Sequence, residues 1–322
     1  ENMISKGDIF TLQLDIHSKL QSIAHIPRGD IAKLSMKRKS ENPKVTCGFR
    51  ALKDCKAEIT HVNEIKGPEN TASWYSGVTC TFDKQVLVID YNKKSCILLD
   101  SLFNGITSFV FPGEPWDVCM IDKTVVAVSL PHNKSVNVLS LKDNSVSTNK
   151  QIPCKYECYG IVAYSTEQII MSGPCGDGKK YYWSLITLDG KEKSYHEFDG
   201  KDFSQTYIAL NAFKTRLYIS LCSENCLLCF GLDGENYFKF KHKDLICPQG
   251  VAVDRDDNLY LVASRSYKIF QVSPDGCLIQ IIVNGIIKKP TGICFDQKGE
   301  TFVVTHDEDI LTEYVLKDKE ET

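Results

Sequence analysis

The chain has no run of about 18 consecutive apolar residues, so no membrane-spanning helix is expected. It has little net charge: 38 Lys and Arg against 41 Asp and Glu leave −3 over 322 residues. Such a balance gives no global attraction for nucleic acid or an anionic membrane, and leaves only local patches open. There is no Gly-x-Ser-x-Gly, no His-Glu-x-x-His and no phosphate-loop motif. Glu1 to Phe10 holds no apolar segment, so it does not read as a secretory signal. Position 1 is not methionine, and a fragment or processed product of a longer chain is expected. Cysteine is more plentiful, with 14 residues, yet that is well below the density of a disulfide scaffold. Cys80, Cys119, Cys229 and Cys294 lie inside apolar runs, where a free thiol behaves as a small hydrophobe. A reducing, cytoplasmic setting is expected, the alternative being a secreted one with some disulfides.

What is present is ordinary in amount and periodic in arrangement. Apolar residues make up 43% and charged residues 25%, enough for a sizeable core. The clearest unit opens at Pro248-Gln249-Gly250-Val251-Ala252-Val253-Asp254 and continues through Asn258 to Val262, then Lys268 to Val272, then Asp275-Gly276. It recurs from Pro290-Thr291-Gly292 through Thr301 to Val304 and Ile310 to Leu316. Weaker copies open at Gly77, Asp117, Gly160 and Tyr207, so the anchors recur every 40 to 47 residues. Each period holds three or four runs of Val, Ile and Leu bounded by Gly, Asp, Asn and Pro, which read as strands. A period of about 40–50 residues with about four strands is one blade of a propeller.

The expected fold is therefore all-β: a six-bladed β-propeller over residues 57–316, with a polar tail at 317–322. The last unit has room for three strands only. A ring must close, because an unpaired edge invites association. Ala57 to Ile65 is the natural outer strand, which would latch the two chain ends into one sheet. Residues 1–56 form an extension of uncertain structure. Leu14 to Ile26 has some helical spacing, Ser35 to Lys44 is basic and polar, and Val45 to Leu52 fits a further strand.

The units at Pro248 and Pro290 resemble NHL repeats: a Pro-x-Gly opening, an apolar strand ending in Asp, an Asn-Leu-Tyr-like second strand and, in the first, a third strand Ile269-Phe270-Gln271-Val272 leading to Asp-Gly. The second unit departs at its third strand, and Asp117 and Tyr207 stand where earlier units would carry the opening glycine. The resemblance is to the C-terminal propellers of TRIM-NHL proteins. It implies protein or RNA recognition in service of ubiquitin ligation or mRNA repression. Any ligase chemistry would lie in upstream domains, since no RING-spaced Cys/His set occurs here. The resulting expectation is a non-catalytic module that binds the substrate of a TRIM-type E3 ubiquitin ligase, through a protein or peptide ligand. It carries no cofactor and no metal, makes no membrane contact, and oligomerises, if at all, through regions outside the chain.

Antiparallel order places the second-to-third-strand loops and the loops that enter each blade on one face. The expected partner-binding residues there are Tyr91, Lys93, Trp116, His132, Tyr159, Lys179, Tyr182, Arg265, Tyr267 and His306. Aromatics and Arg at a rim offer large, stiff contact area. Trp116, Tyr159 and Tyr207 have a second reading, as packing between neighbouring blades.

RNA is the alternative ligand. Lys93, Lys94, Lys134, Lys179, Lys180, Arg265 and Lys268 would supply the charge, and Tyr91, Tyr182 and Tyr267 the stacking rings. Asp307, Glu308 and Asp309 oppose it. A metal-dependent lactonase- or lyase-like propeller is the second alternative, with Asp90, Asp117, His132, Glu157, His306 and Asp307 as candidate ligands. Calcium needs six or more oxygens, and five of the six positions equivalent to Asp117 offer none. Cys222-x3-Cys226-x2-Cys229, joined by Cys154 and Cys158, has zinc-like spacing. However, Cys226 and Cys229 straddle a strand, where side chains three apart face opposite ways.

Overall fold

The computed structural model describes residues 55–64, 73–176, 178–200, 205–285, 289–307 and 309–318. These form six four-stranded antiparallel sheets, with no helix among the described residues. The first blade is β2 (Tyr75–Cys80), β3 (Val86–Asp90), β4 (Ser95–Leu99) and β5 (Gly105–Val110). The second is β6 (Val118–Met120), β7 (Val125–Leu130), β8 (Ser135–Lys142) and β9 (Ser145–Pro153). The third is β10 (Gly160–Ser165), β11 (Gln168–Pro174), β12 (Lys180–Thr187) and β13 (Glu192–Asp199). The fourth is β14 (Thr206–Leu210), β15 (Arg216–Leu221), β16 (Cys226–Gly231) and β17 (Asn236–Phe240). The fifth is β18 (Pro248–Val253), β19 (Leu259–Ala263), β20 (Lys268–Val272) and β21 (Leu278–Asn284). The sixth joins β22 (Pro290–Phe295), β23 (Thr301–His306) and β24 (Ile310–Asp318) to β1 (Cys55–Glu64). The expected helical stretch Leu14 to Ile26, the basic loop and the strand near Val45 lie outside the described residues.

The apolar runs become central strands because each blade is covered on both faces. Val86 and Val88 of β3 pack toward the sixth blade, with Val303 and Leu311. Leu87 and Ile89 pack toward the second, with Val126 and Val128. The period of two thus divides one run between two interfaces. Cys226 and Cys229 divide the same way: one packs with Trp183, the other with Trp116. They do not converge on one point, as their spacing on a strand requires.

The ring is closed by an N-terminal strand. β1 pairs antiparallel with β24 from Cys55↔Asp318 to Glu64↔Ile310, with an irregularity between Ile59 and His61. Its side chains reach both adjoining blades. Asn63 Nδ2 donates to Phe103 O of the first blade at 2.9 Å. On the fifth-blade side, Gln280 Nε2 donates to Cys55 O at 2.9 Å.

Around the axis the inner strands crowd. A methyl group on Gly250 would meet Thr291 O at 2.7 Å, and one on Gly77 would meet Trp116 O at 2.9 Å. Glycine is therefore required at these anchors by close backbone approach, with no unusual φ involved. In three blades a hydroxyl at the inner end of the second strand ties the blade to the next. Ser129 Oγ donates to Tyr159 O at 2.7 Å, Ser220 Oγ to Gln249 O at 2.6 Å and Thr305 Oγ1 to Tyr75 O at 3.2 Å.

Candidate functional site

The two anchors that are not glycine shape the axis. Tyr207 opens the fourth blade, and its hydroxyl donates to Ser76 O of the first at 2.8 Å, so its side chain spans the channel. Trp116 lies against it, with ring centroids 5.6 Å apart. Together they separate an aromatic face from a cavity of about 420 Å³ on the axis, lined by Val78, Asp117, Tyr207, Gly250, Ile293 and Arg255 among others.

On the aromatic face Trp116 is the hub. Trp74, Tyr91 and Tyr159 stand around it at centroid separations of 5.4, 5.7 and 5.3 Å, all near-perpendicular to it. Edge-to-face contact of this kind is the favoured geometry for aromatic rings. Trp116 and Tyr159 are buried, whereas Trp74 and Tyr91 are half-buried and open to solvent. Asp90 anchors the backbone of the two segments that carry the open rings. Its buried carboxylate accepts from Trp74 N at 3.4 Å and from Lys93 N in the turn that carries Tyr91 at 3.1 Å.

A polar chain runs along the rim of these rings. Tyr91 OH lies 3.3 Å from His132 Nε2, and His132 Nδ1 lies 3.3 Å from Glu157 Oε1. Glu157 Oε2 accepts from Tyr159 OH, and its main-chain carbonyl from Tyr182 OH, each at 3.3 Å. Burial, then the nearby Glu114 carboxylate, raises the Tyr91 phenol above its ordinary value, so it stays a neutral donor. Lys94 hydrogen-bonds Glu114 at 2.7 Å and holds that carboxyl below its usual range. A carboxylate, an imidazole and a phenol in series can orient a polar ligand or pass a proton.

The ten sequence-predicted residues separate by depth. His132, Lys179, Arg265 and Tyr267 are exposed, Tyr267 at 40%, while Tyr91 and Lys93 are half-buried. Trp116, Tyr159, Tyr182 and His306 are buried, and Trp116 and Tyr159 pack in one cluster with Tyr207 and Val251. Trp74 precedes β2 in the loop that enters the first blade, one of the loops expected on this face. Asp90 and Glu114 belong to the site although neither was singled out as part of its binding surface. For these two no signal was available, because their role rests on contacts across loops.

Four of the seven cationic residues that an RNA site would need lie against a carboxylate, Lys93 beside Asp90 at 4.0 Å among them. Lys94 pairs with Glu114, Lys180 with Glu197 at 3.1 Å and Lys268 with Asp244 at 2.9 Å. Lys289 pairs with Asp307 at 2.8 Å on the same face.

On the other side of the plug, Asp117 occupies a glycine position. Its carboxylate accepts from Val118 N at 2.9 Å and Ile161 N at 3.1 Å, bridging two inner strands. Burial pushes the carboxyl up to about 7, against the lowering effect of those two hydrogen bonds. Among the described residues no three His, Cys, Asp or Glu side chains are grouped to hold a metal ion. Cys222 and Cys247 form a disulfide on the aromatic-face side of the fourth and fifth blades.

No protein-family model matches the chain, and no curated protein matches it. Solved structures do. Virginiamycin B lyase from Staphylococcus aureus is similar at 16% identity and a TM-score of 0.57, over 81% of this chain and 99% of that one. A catalytically inactive variant of that lyase, solved with quinupristin, is similar at 15% identity and a TM-score of 0.59, over 79% and 99%. A Bacteroides thetaiotaomicron protein of unknown function is similar at 13% identity and a TM-score of 0.64, over 82% and 76%. These likenesses define the class as a six-bladed β-propeller. They also correct one expectation. The sequence was read as that of a non-enzyme, yet lyases share this architecture, so absence of catalysis does not follow from it. Among the described residues no helix is long and apolar enough to cross a membrane.

Proposed function

We propose that the chain is a recognition propeller that binds a polypeptide ligand on its aromatic face. The observation that carries this reading is the pair of half-buried rings, Trp74 and Tyr91, carried over a buried aromatic floor on segments whose backbone Asp90 anchors. Rigid aromatics lose little entropy on binding, and with Arg265 and Tyr267 exposed on the same face they supply the residue types that dominate interfaces. Paired cations favour a polypeptide over RNA, since phosphate binding draws on unpaired charge. The NHL-like repeats at Pro248 and Pro290 support a finer reading, in which the ligand is the substrate of a TRIM-type ubiquitin ligase. Peptides selected on the full chain from a phage-displayed random library test the proposal. They are expected to lose about tenfold or more in affinity on Tyr91→Ala, in line with a hot-spot ring. Selected peptides that bind this variant unchanged would overturn it.

A second reading rests on the Tyr91–His132–Glu157 chain. An imidazole oriented by a carboxylate and facing a phenol is a general acid–base arrangement. Incubation with quinupristin, the compound solved with the inactive lyase, followed by mass spectrometry, tests it. Product that forms with the wild type and not with His132→Ala supports this reading. An unaltered compound removes it for this substrate.

A further inference from the structure

The first and last blades meet along the wall of the axial cavity, and two cysteines face each other there. Cys80 ends the inner strand β2, and Cys294 lies in the inner strand β22. Their sulfurs are 3.3 Å apart, about 1.3 Å beyond a formed disulfide bond at ~2.05 Å. Both residues sit on paired backbone, Cys80 opposite Val86 and Cys294 opposite Val303. The two strands approach closely along the same seam: a methyl group on Gly292 would lie 3.3 Å from Val78 and 3.4 Å from Gly77 Cα. Gln297 Nε2 reaches across to Cys80 O at 3.3 Å. Cys80 is buried, while Cys294 is half-buried and belongs to the cavity lining, so the cavity is the approach to the pair.

We propose that Cys80 and Cys294 form an oxidative cross-linking site, at which a low-molecular-weight disulfide entering the axial cavity converts the thiol pair into an interblade disulfide. Cys294, as thiolate, attacks one sulfur of the reagent. A mixed disulfide forms and the first small thiolate leaves, taking up the proton that Cys294 released. Cys80, as thiolate, then attacks the Cys294 sulfur. The protein S–S bond forms, and the second small thiolate leaves with the Cys80 proton. The two cysteines are oxidised by two electrons and the reagent disulfide is reduced to two thiols. Residues 214 apart in sequence become linked, and the seam between the first and sixth blades, already crossed by Thr305 Oγ1 to Tyr75 O and Gln297 Nε2 to Cys80 O, becomes covalent. Burial raises the Cys294 thiol above its ordinary value, so exchange is faster at pH 8.5 than at pH 7.

The test is peptide mapping of the full chain after incubation with oxidised glutathione at pH 8.5, alkylation and digestion without reduction. The Cys222–Cys247 pair is the internal control for disulfide detection. The expected result is a linked peptide joining Cys80 to Cys294, formed by the folded chain and not by the chain in urea. A thermal midpoint several degrees above that of the untreated protein is also expected, an increment that Cys80→Ser lacks. Cys80 and Cys294 recovered as alkylated or singly glutathionylated thiols, with the control pair linked, would overturn the proposal. So would a linked peptide that forms equally in urea.

Discussion

At the scale of single residues, the two anchors that depart from glycine do the most. Tyr207 plugs the channel by reaching Ser76 O, and Asp117 bridges two inner strands with a buried carboxylate. The Asp117 carboxyl is raised from an ordinary 3.8 to about 7, so the folded chain binds its proton more tightly than the unfolded chain. Its contribution to stability is therefore full below about pH 4 and is lost as pH rises through about 7, with a span of up to about 4 kcal/mol. Urea midpoints are expected to fall between pH 4 and pH 8 in the wild type. In Asp117→Asn that fall is flattened, and the variant is also weaker at low pH, by about 1–3 kcal/mol, because one backbone N–H loses its acceptor. A variant whose stability follows pH like the wild type would remove Asp117 from this role. Both departures from glycine were visible in the sequence as breaks in the repeat. Their consequences were not, because what Asp117 and Tyr207 touch belongs to blades 44 and 131 residues away.

At the scale of elements, β1 is the piece on which ring closure depends. The sequence placed the closing strand at Ala57 to Ile65, and the structure gives Cys55–Glu64, since the repeat count left one strand missing and one apolar-alternating segment unassigned. Buried strands were legible because sandwiched blades demand continuous Val and Ile runs. The extra pairing at Cys55 was not legible, because its partners Gln271 and Gln280 come from the fifth blade. Deleting the residues before Lys66 removes the whole β1–β24 ladder. With several hydrogen bonds lost at about 1 kcal/mol each, the thermal midpoint is expected to fall by about 10 °C or more, read by calorimetry. A truncated chain as heat-resistant as the full one would contradict closure by this strand. Ser220→Ala probes the hydroxyl ties in the same way. It leaves Gln249 O without its 2.6 Å donor and is expected to cost about 1–3 kcal/mol in urea unfolding.

At the scale of the molecule, one ring presents two unlike ends. One end carries the aromatic site and its His132–Glu157 rim. The other carries the mouth of the axial cavity, with Arg255 on its lining, and the exposed Phe213, 78% accessible, in the turn between β14 and β15. Salt separates the ligand classes. A polypeptide held by rings is expected to keep its affinity within a few-fold between 50 and 200 mM salt, whereas RNA contacts at six or more phosphates would lose about 10³-fold. The most direct test of the account sets the two ends against each other. Affinity of one selected peptide is measured on Trp74→Ala, Tyr91→Ala and Phe213→Ala full-length chains. The first two are expected to weaken binding by about tenfold or more and the third to leave it unchanged. Loss confined to Phe213→Ala, or no loss in the first two, would contradict recognition on the aromatic face.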